Sequence, residues 1–513
     1  MILPIIISQA RKWRKTPKKR LLHIGVAGAI MLLCVASIGY LYLRGFARPS
    51  AIHEINLTET GFAPNTITIA KGDIVVFTTR RGKPFWPASD LHPTHEIYSE
   101  FDPKEPIEPN ASWSFRFENT GEWKYHDHLD SYYKGVTRVT SEKDEKKATL
   151  PSHELVVNQT VCDNASATAG QLQCWQGVIS QKLRENNLDG AFSALDLFLE
   201  QNPSQLGACH GITHEIGQKS YELFNRRVDF SLSPKTSYCG YGFYHGFMET
   251  LLHTTNDIAQ ARIFCDEINR YTIVDTQKSQ IACLHGFGHG LLDEAIITRH
   301  SGSLQSLIGA PLLLCEKISN EVFKIELCAT GVFNALSIAL NSSLYKNLKV
   351  DQDEPYKFCD RQTRTYFKKA CYQEFATVAL KKAEGDFSEA TKYVEEISEN
   401  SFAIPAMENL AASATLSRIT RLDFADFIAI CHALQRRLGP ACLQGIAGTL
   451  LEQGPPEYEY KSVLQFCSSP SLLTHEKEDC IKTMMSLAYV NYSSKKYQSV
   501  CHGLEDQFKK YCL

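Results

Sequence analysis

The sequence predicts a multidomain chain: one N-terminal transmembrane helix, a β-sandwich, then an all-α helical-repeat domain, solenoid or α/α toroid, stapled by disulfides. Three observations carry this prediction. Residues 21–43 form an uncharged apolar run, short runs of period-two alternation extend from about Ile52 to residue 140, and beyond residue 153 cysteines recur about every 44 residues within helix-patterned sequence.

The run from Leu21 to Leu43 has no full charge, and at about 1.5 Å per residue it covers a hydrocarbon core of about 30 Å. Arg11, Lys12, Arg14, Lys15, Lys18, Lys19 and Arg20 precede it, whereas only Arg44 and Arg48 follow closely. The positive-inside rule then puts the tail 1–20 in the cytosol and the bulk outside, periplasmic or extracellular, in a single-pass protein of the cell membrane. A cleaved signal peptide is the rival; the run is long for one and lacks a small-x-small exit near Arg44-Gly-Phe. The net charge of −3 also divides here: the first 50 residues hold nine Lys/Arg and no acid, leaving 45 basic against 57 acidic residues, or −12, beyond. No basic stripe remains for nucleic acid.

Of the seventeen cysteines, Cys34 lies inside the apolar run and sixteen follow it. An even number outside the membrane points to disulfides. Taken consecutively they group as Cys162–Cys174, Cys209–Cys239, Cys265–Cys283, Cys315–Cys328, Cys359–Cys371, Cys431–Cys442, Cys467–Cys480 and Cys501–Cys512. Metal ligation is the rival, but there is no Cys-x-x-Cys.

Residues 50–140 read as a β-sandwich. Thr66–Ile69, Ile74–Phe77, Trp113–Phe117 and Gly135–Val139 are β-rich runs, and Lys71-Gly72-Asp73 and Asn119-Thr120-Gly121 supply turns. The most distinctive chemistry is Tyr125-His126-Asp127-His128, with an earlier pair, His92 and His95, in Leu-His-Pro-Thr-His. Alternation sends His126 and His128 to one face, where a loop bearing His92 and His95 closes three or four imidazoles around one ion; imidazoles suit copper, with zinc possible. Asp127 or Asp90 is placed to orient a ring.

Gly61-Phe-Ala-Pro-Asn-Thr-Ile-Thr-Ile-Ala-Lys-Gly-Asp-Ile-Val-Val-Phe77 resembles the opening strands of cupredoxins, and Ile107 to Tyr125 is similar to their aromatic strand and Gly-x-aromatic-x-Tyr approach to the ligand loop. The resemblance covers about residues 52–140. It implies a cupredoxin-like fold, copper, and a first ligand at His95. In that family a copper-ligating Cys follows the Tyr, then a His and usually a Met; here His126 and His128 stand there, with Tyr133 near the Met position. No cysteine lies between Cys34 and Cys162, so the thiolate of a blue copper centre cannot come from this domain. The His-x-His also looks like the Tyr-His-x-His of multicopper oxidases.

A charged run within 141–152 marks a linker, and residues 153–513 are helical. Leu188–Leu199 and Glu384–Ile397 show the three-and-four spacing of amphipathic helices. Segments beginning at Cys239, Cys283, Cys328, Cys371 and Cys442 align as repeats, with Pro405-Ala-Met-Glu-Asn-Leu-Ala-Ala-Ser as a copy without cysteines. Each repeat places one Cys near the end of a first helix and its partner at the opening of the next.

Histidine gathers in the early repeats: His210, His214 with Glu215, His245 with Glu249, and His285 and His289 with Asp293 and Glu294. The i, i+4 pairs His210/His214 and His285/His289 each share a helical face within reach of one metal ion. Glycine beside histidine also permits close helix packing, and buried imidazoles bonded to carbonyls need bind nothing. Three functions stay open: a membrane-anchored, extracytoplasmic copper protein for metal binding, trafficking or redox, whose helical domain docks a protein partner; a metal-dependent enzyme with its site at the helical histidines; and a surface scaffold without chemistry.

Overall fold

The computed structural model describes residues 50–90, 95–141, 162, 168–185 and 187–512, except 226–230, 256, 269–276, 299–302, 342–353, 436, 457 and 493. The predicted span at 21–43, almost all of the predicted linker at 141–152, and His92 lie outside the described residues.

Among the described residues, eight strands form two sheets. β1 (Ile52–Thr58), β2 (Gly61–Ala63), β4 (Ile74–Thr79) and β6 (Ser112–Arg116) lie in the order β2-β1-β4-β6, and β3 (Thr66–Ala70), β5 (Pro87–Ser89), β7 (Gly121–Asp127) and β8 (Asp130–Thr140) in the order β3-β8-β7-β5. β1 runs parallel to β4 and β3 to β8; the other pairs are antiparallel. Period-two alternation shows on β4, where Val75, Phe77 and Thr79 are buried and the residues between them half-buried. Phe62 and Phe77 of the first sheet meet Tyr125 of the second edge-on, with ring centroids 4.9 and 5.3 Å apart, and so join the two sheets through one core. The four expected runs correspond to β3, β4, β6 and β8. β2 and β5, at three residues each, are too short to leave a periodic trace.

The helical part comprises α1 (Thr168–Arg184), α2 (Leu188–Gln201), α3 (Cys209–Asn225), α4 (Tyr238–Thr255), α5 (Ile258–Asp266), α6 (Gln277–Thr298), α7 (Leu304–Ile318), α8 (Val322–Asn341) and α9 (Lys357–Asp360). It continues with α10 (Thr365–Glu374), α11 (Ala376–Lys382), α12 (Phe387–Glu395), α13 (Asn400–Leu416), α14 (Ala425–Ala433), α15 (Gly439–Gln453), α16 (Glu459–Cys467), α17 (Thr474–Asn491) and α18 (Ser494–Gly503). The helix expected at 384–397 is shorter. Glu384 and Gly385 take left-handed φ values of 54° and 84°, and the Asp386 carboxylate caps α12 by accepting from the Glu389 N–H at 3.0 Å.

Helices α3, α4, α6, α8, α10, α13, α15 and α17 pack each against the next; α4 also touches α15 and α6 touches α17, so the row curls back on itself. The copy without cysteines is α13. Five bridges, Cys265–Cys283, Cys315–Cys328, Cys359–Cys371, Cys431–Cys442 and Cys467–Cys480, tie an intervening helix to the row helix that follows. Cys162–Cys174 and Cys501–Cys512 secure the two ends. Cys209–Cys239 departs from the expected arrangement, because it joins the N-terminal ends of two adjacent row helices, α3 and α4. Loops of this size gain roughly 3 kcal/mol each from closure in the unfolded chain, and such a set of bridges belongs to an oxidising, extracytoplasmic compartment.

Glycine sets the spacing within the row. A Cβ on Gly217 would strike the carbonyl of Phe243, one on Gly246 that of His214, one on Gly288 that of Cys328 and one on Gly331 that of His285. Backbones therefore approach closely where histidines are richest. Among the described residues one helix, α8, is long and apolar enough to cross a membrane by length and composition; 61% of that apolar window is buried in the protein, as befits the middle of the row.

Gly288→Ala is expected to destabilise the chain by about 1–3 kcal/mol, since backbone cannot yield to the new methyl. Gly309→Ala in α7, with nothing within 4 Å of the added Cβ, is expected to be neutral or to gain up to about 1 kcal/mol. Paired thermal melts measure both.

Candidate metal centre and a second histidine group

The first site sits where β5 pairs with the end of β7. Ala88 lies opposite His126 and Pro87 opposite Asp127, with an irregularity in the β7–β8 ladder between His126 and Asp127. The His128 N–H donates to the Trp86 carbonyl at 2.6 Å, so the chain leaving β7 stays bound to the segment before β5. His95 arrives from the loop after β5 with a left-handed backbone, φ 56° and ψ 31°. This conformation is uncommon for a residue with a Cβ and recurs where function fixes the chain.

His95, His126 and His128 converge, each offering one ring nitrogen within 4.8 Å of the others. They are 3, 1 and 9% exposed. His95 Nε2 and His128 Nδ1 are 2.6 Å apart, a distance that requires a proton between them. His95 Nδ1 lies 2.6 Å from Asp102 Oδ2 and His126 Nδ1 2.8 Å from Asp90 Oδ1. Each carboxylate accepts the Nδ1 proton of its ring and leaves Nε2 as that ring's ligand nitrogen. Trp86 serves twice, donating from Nε1 to Asp102 Oδ1 at 2.9 Å and lying over His128 with ring centroids 5.0 Å apart.

Burial works against charge here. It would raise the Asp90 and Asp102 carboxyls, but the imidazoles hydrogen-bonded to them, with the Lys104 ammonium at 2.8 Å also on Asp102, hold both well below the ordinary range. Burial pushes His126 below its ordinary value despite Asp90, so that ring is neutral, as a metal ligand must be. Of the two carboxylates placed by the sequence to orient a ring, Asp90 does so. Asp127 instead pairs with buried Arg81 at 2.8 Å and accepts from the Trp86 N–H at 2.7 Å, bracing the hairpin from its other face. Tyr133 donates its hydroxyl to the Glu59 carbonyl at 3.1 Å. Asp102 and Trp86 escaped the sequence reading because neither lies in a recognisable spacing with the histidines they serve.

The helical part reaches the same end of the sandwich. Asp130, two residues beyond His128, lies 3.3 Å from His253 of α4, and Lys134 Nζ donates to Gln218 of α3 at 3.1 Å.

The second histidine group is gathered in space but divided in bonding. His210 Nδ1 lies 2.9 Å from the Cys239 carbonyl oxygen and His285 Nδ1 2.9 Å from the Thr330 hydroxyl. His245 is sandwiched between rings, 5.2 Å from His285 and 4.9 Å from His289. Burial lowers all three, His210 to about 4 and His285 to about 3, with neighbouring histidines adding to the effect. His214 and His289 go to carboxylates: His214 Nε2 lies 2.8 Å from Glu249 Oε2, and His289 Nδ1 lies 2.8 Å from Glu249 Oε1 and 3.2 Å from Asp293 Oδ2. Neither i, i+4 pair thus turns both rings toward one centre. Burial would strip the His289 proton, but Asp293 and Glu249 hold it, up to about 10. Further round the row Glu374 is pushed up to about 7 by burial, its oxygens receiving the Asn334 and Gln373 amides at 3.0 Å each.

No family model and no curated protein matches this chain. Among solved structures, a mutant plastocyanin of a fern, determined oxidised and reduced, is similar at 19% identity over 17% of this chain and 99% of that one, with a TM-score of 0.15.

Asp90→Asn and Asp102→Asn are each expected to weaken Cu(II) or Zn(II) binding about 10–100-fold in a titration of the full chain, by releasing a ring from its orientation. Glu374 gives a pH signature. Its folded value of about 7 exceeds the ordinary 4.5, so between these values the unfolded chain has lost a proton the folded chain keeps, and stability falls as pH rises. Glu374→Gln is expected to raise stability at pH 8 by up to about 3 kcal/mol, and the gain to vanish near pH 4.

Proposed function

We propose that this chain is a membrane-anchored, extracytoplasmic copper-binding protein, whose sandwich holds the metal on His95, His126 and His128. The observation that carries the reading is the meeting of three buried imidazoles, two of them fixed at the far nitrogen by buried carboxylates. All-nitrogen donors suit Cu(II), with Zn(II) the competitor, and the missing cysteine excludes a thiolate ligand from the sandwich. Copper bound there would supply a one-electron couple or be held as cargo.

The residues divide the work. Asp102 and Asp90 keep His95 and His126 in the tautomer that presents Nε2. Trp86 shields His128, and Arg81 with Asp127 holds the hairpin that carries both later histidines. The proton between His95 and His128 must move from Nδ1 to Nε2 of His128 before both rings can ligate, a change of tautomer that leaves that ring neutral. Anchoring through residues 21–43, with the N-terminus in the cytosol, completes the proposal, and the helical part serves as the surface that meets a protein partner.

The full chain, loaded with Cu(II) and freed of excess, is expected to retain copper in the sandwich and to lose that fraction in His126→Ala. Copper retained unchanged in both His126→Ala and His95→Ala contradicts the reading.

A further inference from the structure

We propose that Glu249, His289 and Asp293 hold a divalent first-row transition cation in the helical row, at a site separate from the imidazoles of the sandwich. One donor atom from each of the three lies within 4.8 Å of the others. His289 Nδ1 is 2.8 Å from Glu249 Oε1 and 3.2 Å from Asp293 Oδ2, the spacing of neighbouring donors on an ion whose bonds are about 2.0–2.2 Å.

Glu249 carries the argument furthest. Its side chain is nine-tenths buried, and its Oε2 faces His214 Nε2 at 2.8 Å, which fixes the carboxylate plane. Oε1 is left buried and without a hydrogen-bonding partner: its approach to His289 Nδ1 is short but not aligned as a hydrogen bond. Two donors that come this close without bonding each other are aimed at a common point beside the line between them. Among the described residues, the ion-pair partners of Glu249 and Asp293 are histidines alone, with no lysine or arginine. A buried carboxylate beside a second, part-exposed one needs a cation, and the choice is a proton held among these groups, as on His289, or a metal ion.

The framework is stiff where this matters. Gly290 packs a would-be Cβ 3.2 Å from the Glu249 backbone, so α4 and α6 cannot slide apart without losing that fit. Asp293, with a third of its side chain exposed, is the way in and leaves a solvent-facing position on the ion. One imidazole and two carboxylates suit zinc, manganese or ferrous iron and disfavour Cu(I), and three protein ligands with one open position are the pattern of sites that activate a bound water. His214 is a positioning residue here, while His210, His245 and His285 lie outside the ligand set.

The test uses the full chain carrying His126→Ala, so that the sandwich site is already disabled and its behaviour cannot be confused with this one. Co(II) titration is expected to give visible d–d bands that Zn(II) bleaches, at about one equivalent. Asp293→Asn, at the part-exposed ligand, and His289→Gln are each expected to weaken binding at least tenfold with unchanged far-ultraviolet circular dichroism. In the otherwise unaltered chain, Asp293→Asn is expected to lower total bound zinc by about one equivalent. A His126→Ala chain that binds neither cobalt nor zinc, or binds them equally well after Asp293→Asn and His289→Gln, overturns the proposal and leaves the proton on His289 as the cation.

Discussion

Two hydrogen bonds constrain everything at the sandwich centre: His95 to Asp102 and His126 to Asp90. Each joins an imidazole to a carboxylate in a space that excludes water, and each fixes both the tautomer and the tilt of a ring. Neither carboxylate would remain ionised at that depth alone; the imidazole N–H, joined at Asp102 by the Lys104 ammonium, makes it tolerable, and the carboxylate makes the opposite nitrogen a better donor. The surrounding structure reads as support for these contacts. β5 pairs with β7 to hold Asp90 near His126, Trp86 bonds Asp102, and the Arg81–Asp127 pair stiffens the hairpin from behind.

The helical part depends on a different constraint, the absence of side chains at chosen positions. Gly217, Gly246, Gly288 and Gly331 let row helices meet backbone to backbone, and residues three or four positions away are carried into one polar interior. That is why histidines from α3, α4 and α6 come together although they are separated by up to 79 residues, from His210 to His289. Later repeats keep the architecture but change its lining: the position of His245 and His289 becomes Asn334, Thr377 and Gly448.

Patterns with a short period were legible from the sequence. Alternation announced the main strands, and the cysteines pair in the structure in the order in which spacing groups them. The His-x-His run pointed at a site because period two fixes which side chains share a face. What could not be read depends on distant chain. Asp90 and Asp127 are each acids near a histidine in sequence, and only the pairing of β5 with β7 and the position of Arg81 decide which one serves the ring. Likewise His210 and His214 share a helical face, yet one meets a carbonyl of the neighbouring helix and the other a carboxylate. Helical spacing places side chains on a face and says nothing about what that face meets.

The central claim is that the sandwich binds copper through imidazole alone. X-ray absorption at the copper edge, recorded on the copper-loaded full chain, reads the donor set directly. The account predicts nitrogen neighbours with the multiple-scattering pattern of about three imidazoles and no sulfur. A copper–sulfur shell, or copper surrounded by oxygen without imidazole scattering, would contradict it.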